Sequence, residues 1–335
     1  MASPKAYVRK KLGAWQYNSG QRITNTIDRD GVLYQLNVRC RFTITNGGTG
    51  PVGPLAYALA RIIQRFEVQL NGKDTIINMT GEQIVARALV ENGALPFGMD
   101  ATVVLTNSAV TVYDIVLPIA FYLPRSVNPR DTGLECRTLQ QVAVSITFAN
   151  SDCSQIFTTP NSAAISAVTC EIQGEYIVNS TIKNVADSDY FIRVLDYTVQ
   201  PVTGTNPQLG VQMDRGPQFY RSFHILAQQN NINVDNVVNN IKMQAGSFVY
   251  YDLPGVVSRA ELLSDFGLYA APAANAPLTG NYRIDLSKFG SLDTSINVDP
   301  SALLVDLFHY YDVTYTSGTT NLIISREAIR KPNIG

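Results

Sequence analysis

The sequence predicts an all-β protein of two tandem eight-stranded jelly rolls, each a β-sandwich, with short connecting helices. Three observations predict this fold: apolar and polar residues alternate in many short segments, turn residues separate these segments, and the second half repeats motifs of the first. A length of 335 residues and a hydrophobic content of 45% suffice for two domains with their own cores. We place an N-terminal basic arm at residues 1–20, the first jelly roll at 21–178 and the second at 189–330.

The first predicted jelly roll contains the clearest strand of the chain. Residues 33–44 alternate apolar and polar side chains at nearly every position, which is typical of a sheet with one face in water. Residues 66–70 and 75–77 flank Asn71-Gly72, a dipeptide that favours a tight hairpin turn. Further strands are predicted at 110–121, 141–148 and 167–178.

The second predicted jelly roll consists of segments of the same kind. Its strands are predicted at 191–199, 219–228, 241–245, 248–253, 282–286, 311–316 and 321–325. Short helices are predicted where apolar residues recur at helical spacing, at 81–92, 256–265 and 300–308. The chain is therefore expected to be mainly antiparallel β structure with short helical connections.

Short motifs of the first half return in the second half in the same order. The matches are Asp28-Arg29 with Asp214-Arg215, residues 84–88 with 256–260, and residues 113–117 with 282–286. Repeats this long indicate two whole domains rather than a solenoid. About eight strands with long connections in each copy are typical of a jelly roll. The join is predicted at the polar stretch 179–189.

The composition excludes several function classes. Only 16% of the residues are charged, against about 25% in an average domain. The formal net charge of -1 excludes a uniformly basic nucleic-acid-binding protein, and the hydrophobic content excludes a disordered chain. No apolar run approaches the ~20 residues that span a bilayer, and the N-terminus is not expected to be a secretory signal. The four cysteines are therefore expected to be reduced.

Residues that could carry catalysis favour structural roles. His224 and His309 lie in aromatic, strand-like surroundings, which favours hydrogen-bonded structural histidines. Asp28 and Asp30 could bind a cation, but Arg29 between them favours a structural ion pair or a turn. The sequence contains no nucleophile elbow, no phosphate-binding loop and no CxxC pair. We therefore predict no catalytic residue, no metal site and no cofactor.

The basic arm is the main candidate for a binding segment. Lys5, Arg9, Lys10 and Lys11 precede the first acidic residue, and Trp15 is the sole tryptophan. Cations and a tryptophan favour an anionic membrane surface, and packing on a neighbouring subunit is nearly as well supported; contact with nucleic acid is the least favoured alternative. We expect removal of residues 1–15 to leave the two-domain fold intact.

Three stretches carry a resemblance to a known family. Residues 62–72 and the following strand supply an early strand and its Asn-Gly turn. Residues 116–121 form an apolar strand with a proline, and 128–130 and 142–148 supply a long connection and an alternating strand. In this order the stretches resemble the double jelly-roll major capsid proteins of tailless icosahedral viruses, from internal-membrane phages to adenovirus.

The resemblance implies a structural, non-enzymatic coat protein located in the virion and assembled in the host cytoplasm. It implies a homotrimer whose six jelly rolls form a pseudo-hexagonal capsomer, packed into an icosahedral shell over an internal lipid membrane. Partners would be other copies of the chain, penton or minor virion proteins and lipid, without sequence-specific nucleic-acid binding.

Two alternatives stay open. The first is a twin β-sandwich carbohydrate-binding protein or glycoside hydrolase, because the sequence does not report the separation of carboxylates. The second is a viral spike or penton subunit.

Overall fold

The structure is a computed structural model that describes residues 6–48, 50–99, 103, 108–123, 132–178, 190–266, 279–286, 295–301 and 303–332. The chain divides into two compact units, which we call unit 1 (Met1–Arg193 with Pro332–Gly335) and unit 2 (Val194–Lys331). Both units consist mainly of antiparallel strands, so the predicted all-β fold class is confirmed. The predicted join at 179–189, Lys5 and the stretch 128–130 lie outside the described residues.

Unit 1 is a sandwich of two antiparallel sheets. Its strands are β1 (Ala6–Gln16), β2 (Arg22–Thr26), β3 (Val32–Thr45), β4 (Val52–Pro54), β5 (Ile63–Leu70), β6 (Asp74–Met79), β7 (Val110–Ala120), β8 (Leu134–Glu135), β9 (Val142–Phe148), β10 (Phe157–Thr159) and β11 (Ala164–Val178). The first sheet has the order β1-β11-β3-β7, and the second contains β2-β9-β5-β6 in that order. Helix α1 (Gly81–Asn92) connects β6 to β7.

Unit 2 repeats this arrangement. Its strands are β12 (Ile192–Val202), β13 (Asn206–Gln212), β14 (Gln218–Gln229), β15 (Ile232–Asn233), β16 (Val238–Ala245), β17 (Phe248–Pro254), β18 (Asn281–Asp285), β19 (Ile296–Asn297), β20 (Leu307–Val313) and β21 (Thr320–Arg330). The first sheet runs β12-β21-β14 with β18 beside β14, and the second runs β13-β20-β16-β17. Helix α2 (Gly255–Phe266) connects β17 to β18.

Eight strands and one helix of each unit match in chain order and in sheet order. The equivalent elements are β1 and β12, β2 and β13, β3 and β14, β5 and β16, β6 and β17, α1 and α2, β7 and β18, β9 and β20, and β11 and β21. Two facing sheets with these long crossovers make each unit a jelly roll. The sequence motifs that recur in order therefore belong to equivalent elements of one repeated architecture.

The core of each unit lies between its two sheets. In unit 1, the buried indole of Trp15 on β1 donates a hydrogen bond to the carbonyl of Val144 on β9, 3.1 Å away. In unit 2, the rings of Phe223 on β14 and His309 on β20 meet edge to face with centroids 4.2 Å apart. In each unit, one contact thus joins the first sheet to the second, as a sandwich requires.

Local sequence explains the hairpin and the helix that follows it. Asn71 and Gly72 both have positive φ, 49° and 69°, as a two-residue hairpin turn that matches strand twist requires. Helix α1 has the predicted bounds because Thr80 and Gln83 form a capping box at its N-terminus. Gly93, with φ 71°, ends the helix.

Three sequence predictions differ from the structure. The predicted helix at 300–308 is wrong over the described residues: Asp299 accepts hydrogen bonds from Ser301 in a turn, and β20 begins at Leu307. The strands β1, β2 and β13 were not predicted. Since β1 is a full strand of the first sheet, the sandwich of unit 1 begins before residue 21, where the sequence analysis placed its start.

Candidate assembly surfaces

The predicted basic arm is an edge strand of unit 1. Strand β1 pairs antiparallel with β11 from Ala6 opposite Val178 to Gln16 opposite Thr169, with a bulge between Lys11 and Gly13. Among the described residues, no strand of the first sheet pairs with the other side of β1. The arm is thus an element of the fold, and its outer edge is a candidate pairing surface.

Carboxylates neutralise the cations of this strand. Arg9 lies 3.1 Å from Glu175, and Lys11 pairs with Glu171 on β11. Lys10 pairs with Asp28, 2.8 Å away, and with Asp30. Three cations therefore meet four carboxylates, so the folded strand is not a positively charged patch. Sequence reasoning missed these partners because those on β11 are about 160 residues away.

Trp15 belongs to the core and not to a surface. Its side chain is only 1% exposed, and its indole N–H is satisfied by a backbone carbonyl. Burial of an indole stabilises a fold by several kcal/mol. The structure therefore argues against the expectation that removal of residues 1–15 leaves the fold intact.

The outer face of the first sheet of unit 1 is exposed and mostly polar. Along β3 and β11, buried and exposed positions alternate, as in a sheet with one wet face. Arg39 forms a bidentate hydrogen bond with Asp114, and this bond lowers the pKa of the Asp114 carboxyl. Three large apolar side chains are also exposed on this face: Tyr7, Val110 and Val112. We call the face with these three residues the sheet surface.

Helix α2 and strand β17 before it also expose apolar side chains. Val256 and Val257 are exposed at the start of the helix, Val256 by 75%, and Phe248 and Val249 are exposed at the far end of β17. We call these four residues the helix surface. Sequence analysis placed the helix and the strand but did not single out this area, although two consecutive valines at a helix start are a usable signal.

Unit 2 also carries a polar groove of about 330 Å³ on the outer face of its second sheet. The ring of Tyr310 lies over Gly210, where a Cβ atom would be 3.3 Å from the ring. The groove is lined by polar side chains that include Gln208, Asn240, Lys242, Asp252, Tyr310 and Asp312.

The residues considered for catalysis have structural surroundings. His309 is fully buried beside Tyr311, and desolvation, followed by the charge of Arg326, lowers its pKa to about 3. His224 is buried as well. The Sγ atoms of Cys40 and Cys170 lie 3.3 Å apart on paired strands, and this hydrogen bond, followed by burial, raises the pKa of the Cys40 thiol. All four cysteines are free.

The described residues provide neither a metal-binding cluster nor a membrane-spanning helix. No group of three or more histidine, cysteine or acidic side chains there could hold a metal ion. Neither helix in the described part of the chain is long and apolar enough to cross a bilayer.

Comparisons with known proteins place the fold. No protein-family model matches the chain, and a search of curated proteins finds no sequence relative. Among solved structures, a chain from Sulfolobus Turreted Icosahedral Virus aligns at a TM-score of 0.76 and 13% identity, over 97% of this chain and 91% of that one.

Two further solved structures have the same architecture. The major capsid protein P2 of bacteriophage PM2 aligns at a TM-score of 0.61 and 12% identity, over 98% of this chain and all of that one (100%). The Faustovirus major capsid protein aligns at 0.60 and 9% identity, over 98% and 90%. The chain therefore has the double jelly-roll fold of these viral major capsid proteins.

Proposed function

We propose that this chain is a structural capsid protein without catalytic activity. It trimerises into capsomers of pseudo-hexagonal outline and assembles, in the host cytoplasm, into an icosahedral shell over an internal lipid membrane. The observation that carries the proposal is the alignment of nearly the whole chain with the major capsid protein of bacteriophage PM2 and with the chain from Sulfolobus Turreted Icosahedral Virus.

The duplicated architecture gives the proposal a physical basis. Two equivalent sandwiches in one chain let a threefold assembly present six similar blocks, so that one polypeptide tiles a nearly hexagonal lattice. Low charge also suits a tile that meets other copies on several sides, because amide and hydroxyl side chains form hydrogen bonds without strong repulsion. Penton and minor virion proteins would complete the shell.

Expression of the full chain and electron microscopy of the product test the proposed function. We expect trimers in solution and, with the other virion components, closed icosahedral particles that contain lipid. A monomer at micromolar concentration, together with the absence of the chain from particles, would contradict the proposal.

We assign the N-terminal strand a role in contacts between subunits rather than with lipid. Lys5 and the cations Arg9, Lys10 and Lys11 would contact a neighbouring subunit, and Trp15 would support the strand from inside. The pairing of the three described cations with carboxylates supports this choice, because it removes most of the attraction to anionic lipid.

The variant Arg9→Gln/Lys11→Gln distinguishes a contact of β1 with a neighbouring subunit from a contact with lipid. Because exposed ion pairs contribute about 0–1 kcal/mol, we expect nearly unchanged stability and unchanged sedimentation with anionic vesicles. We expect a weaker trimer whose stability depends less on salt concentration, measured by native mass spectrometry. A clear loss of vesicle binding with an intact trimer would favour the lipid contact instead.

The groove of unit 2 favours one second candidate, carbohydrate binding. Aromatic rings beside amides and carboxylates are suited to sugars, and the rings of Phe308 and Tyr310 stack with centroids 5.7 Å apart. A glycan array with the full chain and with Tyr310→Ala tests this candidate. Binding that disappears in the variant would support it, and no binding by the full chain would contradict it.

A further inference from the structure

Equivalent surfaces of the two units differ in burial. Helix α1 of unit 1 is buried at every position from Gly81 to Val90, polar residues included. Its equivalent α2 in unit 2 exposes Val256, Val257 and Ala260. The same element in the same fold is thus covered in one unit and open in the other.

The first sheets show the opposite difference. In unit 2, β14 and β21 are buried at nearly every position, which means that both faces of this sheet are covered. In unit 1, the equivalent strands β3 and β11 alternate between buried and exposed positions. The helix is therefore covered in unit 1 and exposed in unit 2, whereas the outer face of the first sheet is exposed in unit 1 and covered in unit 2.

Exposed apolar side chains mark the two open copies. Among the described residues, twelve large hydrophobic side chains are exposed, and seven of them lie on the sheet surface or the helix surface. These seven are Tyr7, Val110, Val112, Phe248, Val249, Val256 and Val257. They form separate groups: Val110 and Val112 lie opposite Thr45 and Thr43 at one end of the first sheet, and Tyr7 lies near its other end, opposite Ile177. Val256 and Val257 likewise adjoin each other on α2. Groups of exposed apolar side chains mark interaction sites more often than single ones.

Both open surfaces lie beside open sheet edges. Strand β1, which carries Tyr7, is an edge of its sheet, and β17, which carries Phe248 and Val249, is an edge of its own. Exposed strand edges with unpaired backbone groups are normally covered or paired. The edge next to each surface is therefore a second reason to expect a protein partner there.

We infer that the helix surface of one copy packs on the sheet surface of a second copy, so that the chains associate head to tail. This inference rests on the proposed assembly role and names its interface. The two surfaces are different, so the contact is heterologous, and a heterologous contact with the appropriate rotation closes into a ring. The partner at both surfaces is another copy of this chain.

Native mass spectrometry of the purified full chain and three variants tests the inference. Val256→Glu/Val257→Glu alters the helix surface, and Val112→Glu alters the sheet surface. Glutamates at the start of a helix do not weaken it, and all three positions are exposed, so the monomer should fold. Leu304→Glu is the matched control, because Leu304 is 84% exposed and lies outside both surfaces. Far-UV circular dichroism checks each fold.

We expect both surface variants to lose association roughly a hundredfold, because an unpaired charge would be buried at the contact, and Leu304→Glu to match the unaltered chain. Mixing the two surface variants should yield a species of two chains and none larger, since one intact contact can form and the ring cannot close. Surface variants that retain the trimer would overturn the inference and leave the proposed function standing. A monomeric unaltered chain would instead contradict the proposed function itself.

Discussion

Arg29 in unit 1 donates a hydrogen bond to the carbonyl of Leu139, and Arg215 in unit 2 pairs in the same way with the carbonyl of Leu303. Each arginine comes directly after an aspartate that pairs with a cation, Asp28 with Lys10 and Asp214 with Arg326. Each also lies just before a strand of the first sheet, β3 in unit 1 and β14 in unit 2. The two loops before β3 and β14 are therefore built alike, because both enter the first sheet of the same kind of sandwich. The same position in the fold has the same arginine-to-carbonyl hydrogen bond, even where the surrounding residues differ.

The outer faces of the two second sheets are unlike. In unit 1, Glu67 lies 2.9 Å from Arg22 and 3.0 Å from Arg65, and Arg65 also donates to Asn78. These groups satisfy one another across neighbouring strands. In unit 2, the same face has the groove lined by Lys242, Tyr310 and other polar side chains. The two second sheets therefore share their strand order, while their outer faces differ and can take separate roles.

The largest effect should come from Trp15→Ala. If β1 is as integral to unit 1 as β12 is to unit 2, emptying this core site costs about 3–5 kcal/mol of unfolding free energy. Urea denaturation measures the loss. Tyr7→Ala on the same strand is the control, because Tyr7 is 55% exposed and its removal should cost under about 1 kcal/mol. Equal, small losses for both variants would mean that β1 is a detachable arm.

A smaller effect is expected between pH 7 and pH 5, the range in which histidines titrate, and both histidines lie in unit 2. Burial lowers the pKa of His309 from 6.5 to about 3, so below pH 6.5 the unfolded chain binds a proton that the folded chain does not. Stability should be complete above pH 6.5 and should fall as the pH drops, by about 2 kcal/mol at pH 5.

The variant His309→Gln isolates this contribution. Glutamine can keep a hydrogen bond to Tyr311 but does not titrate, so the loss between pH 7 and pH 5 should shrink by about 2 kcal/mol. Urea denaturation at the two pH values measures the difference. An unchanged pH dependence would show that His309 is protonated in the folded chain.

The smallest effect concerns the two equivalent helices. Helix α1 has the capping box of Thr80 and Gln83, whereas α2 follows Pro254, which has no side-chain acceptor. Thr80→Ala should therefore cost about 1 kcal/mol. Thr203→Ala, at an exposed loop position, should stay within about 0.5 kcal/mol of the unaltered chain in the same thermal unfolding experiment. A loss for Thr80→Ala no greater than the control's would remove the capping argument.

Regular patterns made much of the fold predictable. Strand β3 was predicted within one residue at each end because its exposed face forces strict alternation. The bounds of helix α1 were predicted correctly because its apolar residues recur at helical spacing and because Thr80 and Gly93, the residues that flank it, are typical helix caps. The capsid-like fold followed from the order of such elements in two copies.

Other features depended on distant partners. The cations of β1 suggested a basic arm separate from the first jelly roll, since the carboxylates that pair with them on β11 are remote in sequence. The apolar run around Leu303 suggested a helix, but the preceding Asp299 turn and the ladder of β20 override that local preference. The helix surface emerged only from the comparison of α2 with its buried equivalent.

Single-particle cryo-electron microscopy of the purified unaltered assembly tests the central claim most directly. The account predicts three chains around a threefold axis, six sandwiches of similar outline, and Val256 and Val257 of each chain in contact with the first sheet of its neighbour. A different number of chains, or an assembly in which α2 faces solvent, would contradict it.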